Sequence, residues 1–178
     1  MTTHGSMKVF GIAGWSGSGK TTLLSRLIPL LVERGLRVST LKHAHHGFDV
    51  DQEGKDSYEH RRAGAAEVMV SSARRWALMH ELRDAPEPSV EALIGRMSPV
   101  DLLLIEGFKR HAHDKLEVHR AALGKPLLCG DDGQIVAVAS DAPLPGLAVP
   151  QLDLNNVPAV ADFVMAHCGL VPQTQTVV

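Results

Sequence analysis

Aromatic side chains are scarce: phenylalanine, tryptophan and tyrosine make up 4% of the 178 residues. Proteins that bind single-stranded nucleic acid stack bases on such rings, so their scarcity argues against that class. Charge of one sign is lacking too. A formal net charge of −2 gives no bulk electrostatic footprint for nucleic acid or an anionic membrane surface. Cysteine is limited to Cys129 and Cys168, far apart in the chain. Two lone thiols suit a reducing cytoplasm better than a disulfide framework. No apolar run reaches the roughly 20 residues that a membrane-crossing helix needs. The amino terminus lacks the basic, apolar and small-residue succession of a secretory signal. These absences lead us to expect a cytoplasmic protein with neither nucleic acid nor a membrane as partner.

What the chain does have is 44% hydrophobic residues, enough for one compact α/β core. The pattern predicts a single domain over residues 7–170, with residues 1–6 as a leader and 171–178 as a mobile tail. Lys8–Ala13 reads as a short buried strand running into glycines. A helix follows from Lys20 to about Arg34, with Leu23, Leu24, Leu27, Leu31 and Val32 on one face. Pro29 should kink it or mark a local irregularity, and Gly35 stops it. Leu36–Lys42 is a second strand. A polar loop at 43–55 precedes a short helix over Asp56–Ala65. Strand-like pieces follow at Glu67–Ser71 and Arg75–His80, then a helix capped by Ser89. Leu102–Ile105 has the continuous apolar character of a strand buried on both faces. Further strand candidates lie at Leu116–His119, Leu127–Leu128 and Ile135–Ala139. Asn155 or Asn156 caps a last helix, with Pro158 in its first turn and Gly169 at its end. Alternating strands and helices predict a three-layer α/β fold around a mainly parallel sheet.

The segment Gly14-Trp15-Ser16-Gly17-Ser18-Gly19-Lys20-Thr21 fits G-x-x-x-x-G-K-[ST] between a predicted strand and a predicted helix. Glycines let the backbone fold round phosphates without Cβ clashes, and successive N–H groups form an anion nest. The helix adds its positive end. Lys20 would reach the β- and γ-phosphates, and the Thr21 hydroxyl would ligate Mg²⁺. These features predict a P-loop NTPase fold.

A buried apolar strand ending in Glu106 resembles the acidic element that holds magnesium, directly or through water. Glutamate stands where aspartate is commoner, and its longer arm favours a water-mediated contact. Glu106 could instead polarise the attacking water, or simply bond the next loop. Asp101 opens the same strand, about 16 Å away, and reads as structural. The stretch from Lys42 to Asp51 carries His43, His45 and His46 together with Asp49 and Asp51. Either aspartate could hold a magnesium-bound water. The histidines are too irregularly spaced to complete a structural zinc site, and face solvent or substrate instead. Arg61, Arg62, Arg74 and Arg75 hint at a second anionic ligand, or form an ordinary solvated face.

Together, GIAGWSGSGKTT at Gly11–Thr22, LKHAHHGFDVD at Leu41–Asp51, GKDSYE at Gly54–Glu59, RRAGA at Arg61–Ala65, RWAL at Arg75–Leu78 and LIEGFK at Leu104–Lys109 resemble the MobB family of molybdopterin-guanine dinucleotide biosynthesis adaptor proteins. The resemblance spans about residues 7–170. It implies a GTP-binding protein with weak GTPase activity and Mg²⁺ as cofactor. It also implies a homodimer that assists a MobA-type guanylyltransferase in joining GMP to molybdopterin, with molybdopterin or its molybdenum form as a further ligand. By position Gly17, Gly19, Lys20, Thr21 and Thr22 would bind phosphates and Mg²⁺, Glu106 would be the magnesium-side acid, and Asp49 and Asp51 would lie in a switch-like segment. The usual Asn-Lys-x-Asp guanine reader is absent. Asp141, after the strand at 135–139, is the nearest candidate for the paired donors of guanine.

Two other readings share the P-loop. One is a small-molecule kinase using the arginines as a lid, although no long Arg-rich insertion is visible. The other is an interaction module that uses nucleotide only to set its conformation.

Overall fold

A computed structural model describes residues 7–44, 47–108 and 111–172. The expected leader at 1–6, His45 and His46 of the histidine stretch, Lys109, and residues 173–178 lie outside the described residues. The chain forms two compact units. One runs up to His43 and resumes at Met97; the other is Ala44–Arg96.

The first unit is built on a six-stranded sheet. Its strands are β1 (Lys8–Ala13), β2 (Val38–Lys42), β5 (Leu102–Glu106), β6 (Lys115–His119), β7 (Ile135–Ser140) and β8 (Gln151–Asp153), in the order β2-β5-β1-β6-β7-β8. Every pairing in it is parallel. A sheet buried on both faces needs continuous apolar strands, and Leu102, Leu103, Leu104 and Ile105 are fully buried in β5. Helices α1 (Lys20–Glu33) and α4 (Val157–Cys168) pack together on one face. Leu23, Leu24, Leu27 and Leu31 of α1 and Val157, Val160, Ala161 and Val164 of α4 meet Phe10, Ile12, Leu104, Leu116 and Val118 there. Each fully buried leucine of this kind contributes roughly 1.5–3 kcal/mol. This is the α/β, P-loop-type architecture implied by the alternation of elements. Pro29 sits on the exposed side of α1, which continues past it to Glu33. Asn156 caps α4, its side chain accepting the Ala159 N–H at 3.2 Å.

Two details of the sheet differ from expectation. Leu127–Leu128 forms no strand. The Glu117 carboxylate, fully buried on β6, accepts the Leu128 N–H at 2.9 Å and the Cys129 N–H at 2.9 Å, so the segment's backbone bonds to a side chain. The edge strand β8 was not anticipated: it is three residues long and its pattern is exposed, half-buried, exposed.

The second unit contains α2 (Asp56–Arg62), the antiparallel pair β3 (Glu67–Ser71) and β4 (Trp76–His80), and α3 (Val90–Ile94). Ser89 caps α3 by accepting the Ala92 N–H. Among the described residues no helix is long and apolar enough to cross a membrane.

Candidate functional site

In a parallel sheet the carboxyl ends of all strands lie along one edge, where ligands bind. That edge here carries the loop after β1, Lys42 at the end of β2, Glu106 at the end of β5, Arg120 after β6 and Asp141 after β7. The loop after β1 is the glycine-rich one. Gly14, Gly17 and Gly19 have φ of 141°, 81° and 97°, a region that side chains rarely adopt. At Gly14 space also forbids a side chain: a Cβ would lie 2.5 Å from the Val118 carbonyl oxygen and 2.7 Å from Ser18 Oγ. Glycine is therefore required where the loop crosses β6.

Ser16 is exposed at the loop's tip, whereas Ser18 is 1% exposed and its hydroxyl has no hydrogen-bond partner among the described residues. A buried hydroxyl without a partner costs roughly 1–3 kcal/mol, so an orphan inside a glycine-rich turn marks a place built for another acceptor or donor. Lys20 Nζ donates to the carbonyls of Gly14 at 3.0 Å and Trp15 at 2.9 Å, which pins the ammonium against the loop. Trp15 Nε1 donates to the Pro126 carbonyl at 2.8 Å, and Lys125 Nζ lies 5.7 Å from the Trp15 ring centroid. The loop is thus braced from the segment that follows β6.

Thr21 Oγ1 lies 3.4 Å from Glu106 Oε1. Lys42 Nζ stands 3.6 Å from Glu106 Oε2. A hydroxyl from the first turn of α1 and a carboxylate from the end of β5 are the oxygen donors a hard divalent cation prefers. Thr22 is exposed, and its carbonyl accepts the Ser25 hydroxyl at 2.9 Å. Asp101, at the opposite end of β5, accepts the Arg37 N–H at 2.7 Å, which ties the starts of β2 and β5 together.

Beyond β7, the Asp141 carboxylate accepts the Ala121 N–H at 3.1 Å and an Arg120 N–H at 3.3 Å. It lines a cavity of ≈ 530 Å³ with Ser140, Pro143, Gln151, Asp153 and Asn155.

A family model described as "Molybdopterin guanine dinucleotide synthesis protein B" matches residues 9–141. The chain belongs to the MobB family. It is 49% identical over 160 residues to the molybdopterin-guanine dinucleotide biosynthesis adapter protein of Escherichia coli K12, covering 88% of this chain and 91% of that one. It is 42% identical over 164 residues to the adapter protein of the same description from Haemophilus influenzae, covering 90% and 89%. The crystal structure of a molybdopterin-guanine biosynthesis protein B superposes with a TM-score of 0.71 at 28% identity, over 89% of this chain and 99% of that one.

In this MobB-family chain Asp49, Asp51 and Arg61 lie in the Ala44–Arg96 unit. Arg61 gathers three carboxylates there. Its NH2 donates to Asp49 Oδ1 at 2.9 Å and Oδ2 at 2.7 Å, its Nε to Asp51 at 3.3 Å and its NH1 to Glu81 at 3.0 Å. Asp51 also accepts the Gln52 N–H and the Ser57 hydroxyl, each at 2.9 Å. The Arg61 guanidinium holds the Asp49 carboxyl below its ordinary range, helped by the Asp51 N–H. Asp49 and Asp51 are brought together by Arg61, within their own unit. His43 packs against Phe108 with ring centroids 4.5 Å apart, and Phe108 against His111 at 5.2 Å. No cluster of three or more metal-ligating side chains forms among the described residues.

Sequence reasoning missed Arg120, Lys42 and Glu117. Arg120 and Lys42 carried a readable signal, because each stands at the carboxyl end of a strand. Glu117 carried none, since nothing local marks a carboxylate destined for full burial.

Proposed function

We propose that this chain binds GTP with Mg²⁺, hydrolyses it weakly, and serves as the accessory protein with which a MobA-type guanylyltransferase attaches GMP to molybdopterin. The observation that carries the reading is the Thr21–Glu106 approach of 3.4 Å beside the glycine-rich loop and Lys20. Loop glycines and the start of α1 would surround the phosphates, through Gly14, Ser16, Gly17, Ser18, Gly19, Lys20, Thr21 and Thr22. Thr21 and Glu106 would hold the magnesium ion, which supplies neutralisation of charge on the β- and γ-phosphate oxygens.

The orphaned Ser18 hydroxyl and the oxygen-only donor pair support that fit. Weak hydrolysis is part of this reading, because the carboxylate seen to approach Thr21, Glu106, also faces the cationic Lys42 at 3.6 Å. Asp141 is our candidate for the N1 and N2 donors of guanine. Asp49 and Asp51 belong, on this reading, to a nucleotide-responsive loop steadied by Arg61 rather than to the metal's own ligands. A homodimer, a cytoplasmic setting and contact with molybdopterin belong to the same proposal, as does a single nucleotide-binding domain over residues 7–170.

Isothermal titration with GTP and with ATP, each with Mg²⁺, tests it. A preference for GTP is expected. Equal binding, or a preference for ATP, would overturn the guanine assignment and favour a small-molecule kinase.

A further inference from the structure

Arg120 immediately follows β6 and touches two parts of the candidate site at once. Its Nε donates to the Ser18 carbonyl at 3.1 Å. Its guanidinium lies 3.2 to 3.3 Å from the point a Cβ on Gly19 would occupy. Gly19 is the N-cap of α1, so the arginine stands at the positive end of a helix dipole. A cation is disfavoured there unless an anion offsets it. Asp141 provides that anion, with its Oδ2 3.3 Å from Arg120 NH1. The other Asp141 oxygen accepts the Ala121 N–H, so the carboxylate that faces the ≈ 530 Å³ cavity is already bonded on both oxygens.

We infer that Arg120 is a positioning residue shared between Asp141 and the nucleotide's phosphates, and that it couples occupancy of the Asp141 cavity to phosphate binding. The inference rests on the nucleotide reading above. A base that offers two adjacent N–H donors competes with Arg120 and Ala121 for the Asp141 oxygens. Once displaced, the guanidinium keeps its bond to the loop and turns its charge toward the phosphates, which it suits as a planar donor fork. Linkage makes the effect reciprocal: phosphates that draw Arg120 away free Asp141 for the base. A base without paired donors leaves Arg120 on Asp141 and gains nothing from the phosphate half. Selectivity for the base would then be expressed partly as phosphate affinity.

The test uses inorganic tripolyphosphate, which carries the phosphates without a base, titrated into the full chain by calorimetry. Asp141→Asn releases Arg120 without any base. It is expected to tighten tripolyphosphate binding about fivefold or more. In an Arg120→Ala background the same change is expected to shift affinity less than about twofold. Arg120→Gln, which keeps a donor for the Ser18 carbonyl but no charge, should behave the same way and guards against simple loss of fold. Equal tightening in all three backgrounds is what bare removal of a negative charge would produce, and it overturns the inference. So does an Asp141→Asn chain whose tripolyphosphate affinity is unchanged. Failure of the underlying reading looks different: the unsubstituted chain would not bind tripolyphosphate, or would still bind it after Lys20→Ala, and the coupling would fall with it.

Discussion

Thr21 Oγ1 and Glu106 Oε1 lie 3.4 Å apart although 85 residues separate them in sequence. The contact exists because β1 and β5 are parallel neighbours in register, with Ile12 opposite Glu106. Glu106→Gln keeps the shape and the hydrogen bond but removes the charge that would face the metal. Nucleotide affinity should stay within about threefold, while magnesium-dependent hydrolysis should fall at least about tenfold. Steady-state phosphate release measured against magnesium concentration checks this, and full activity would make Glu106 a structural residue.

Lys20→Ala removes the cation that the Gly14 and Trp15 carbonyls hold in the loop. Triphosphate affinity should drop by roughly 100-fold, because charge-assisted bonds to phosphate are lost with no replacement. Calorimetry with GTP reads this directly, and unchanged affinity would remove the phosphate-loop assignment.

How much of this site could be read from the sequence follows from what each residue depends on. The place of the glycine-rich turn was legible because its glycines, Lys20 and Thr21 are contiguous between a strand and a helix. The position of Glu106 at the carboxyl end of β5 was legible because it ends a continuous apolar strand. The partner of Asp141 was not, since the Arg120 contact arises from β6 and β7 lying side by side in the sheet. The misread Leu127–Leu128 shows the same limit: its apolar character suggested a ladder, but its amides bond to the buried Glu117 carboxylate. Strand β8 escaped notice because an edge strand of three residues, pairing on one side, needs little hydrophobicity.

Arg61→Ala should loosen the Ala44–Arg96 unit by leaving Asp49, Asp51 and Glu81 together without their shared cation. Asp49 has its carboxyl pKa lowered in the folded state from the ordinary 3.8. Its contribution to stability is therefore present above that value and lost as pH falls through the folded pKa. The difference in amide exchange of α2 between the parent and the variant should be largest at neutral pH. It should shrink as pH drops below about 4. A pH-independent difference would show that Arg61 acts by packing alone.

His113 should make the fold sensitive to mild acid. Burial pushes its imidazole below the ordinary 6.5, Lys115 and His111 push the same way, and Asp132 and Asp114 oppose them. Its Nε2 is buried with no partner among the described residues and lies 2.6 Å from the point a Cβ on Gly11 would occupy. Below about pH 6.5 the unfolded chain takes up a proton that the folded chain resists. Stability should accordingly fall as pH is lowered from 7.5 to 5.5. Urea midpoints across that range measure it, and His113→Leu should flatten part of the slope. An unaltered slope in the variant would assign the effect to other histidines.

The parallel sheet also sets the order in which the protein can be made. The central strand β1 is the first to leave the ribosome, yet its neighbours arrive late: Lys8 waits for Leu102 and Gly11 for Lys115. Until then Phe10 and Ile12, fully buried in the finished protein, have no strand beside them. The Ala44–Arg96 unit, whose internal contacts are all drawn from one continuous stretch, is complete before that point. Nascent chains whose residues up to Val100 have emerged from the ribosome, with Leu102 and beyond still inside it, should therefore protect β3 and β4 while β1 remains open to chaperones, because pairing between distant strands is what slows such folds and leaves them prone to aggregate.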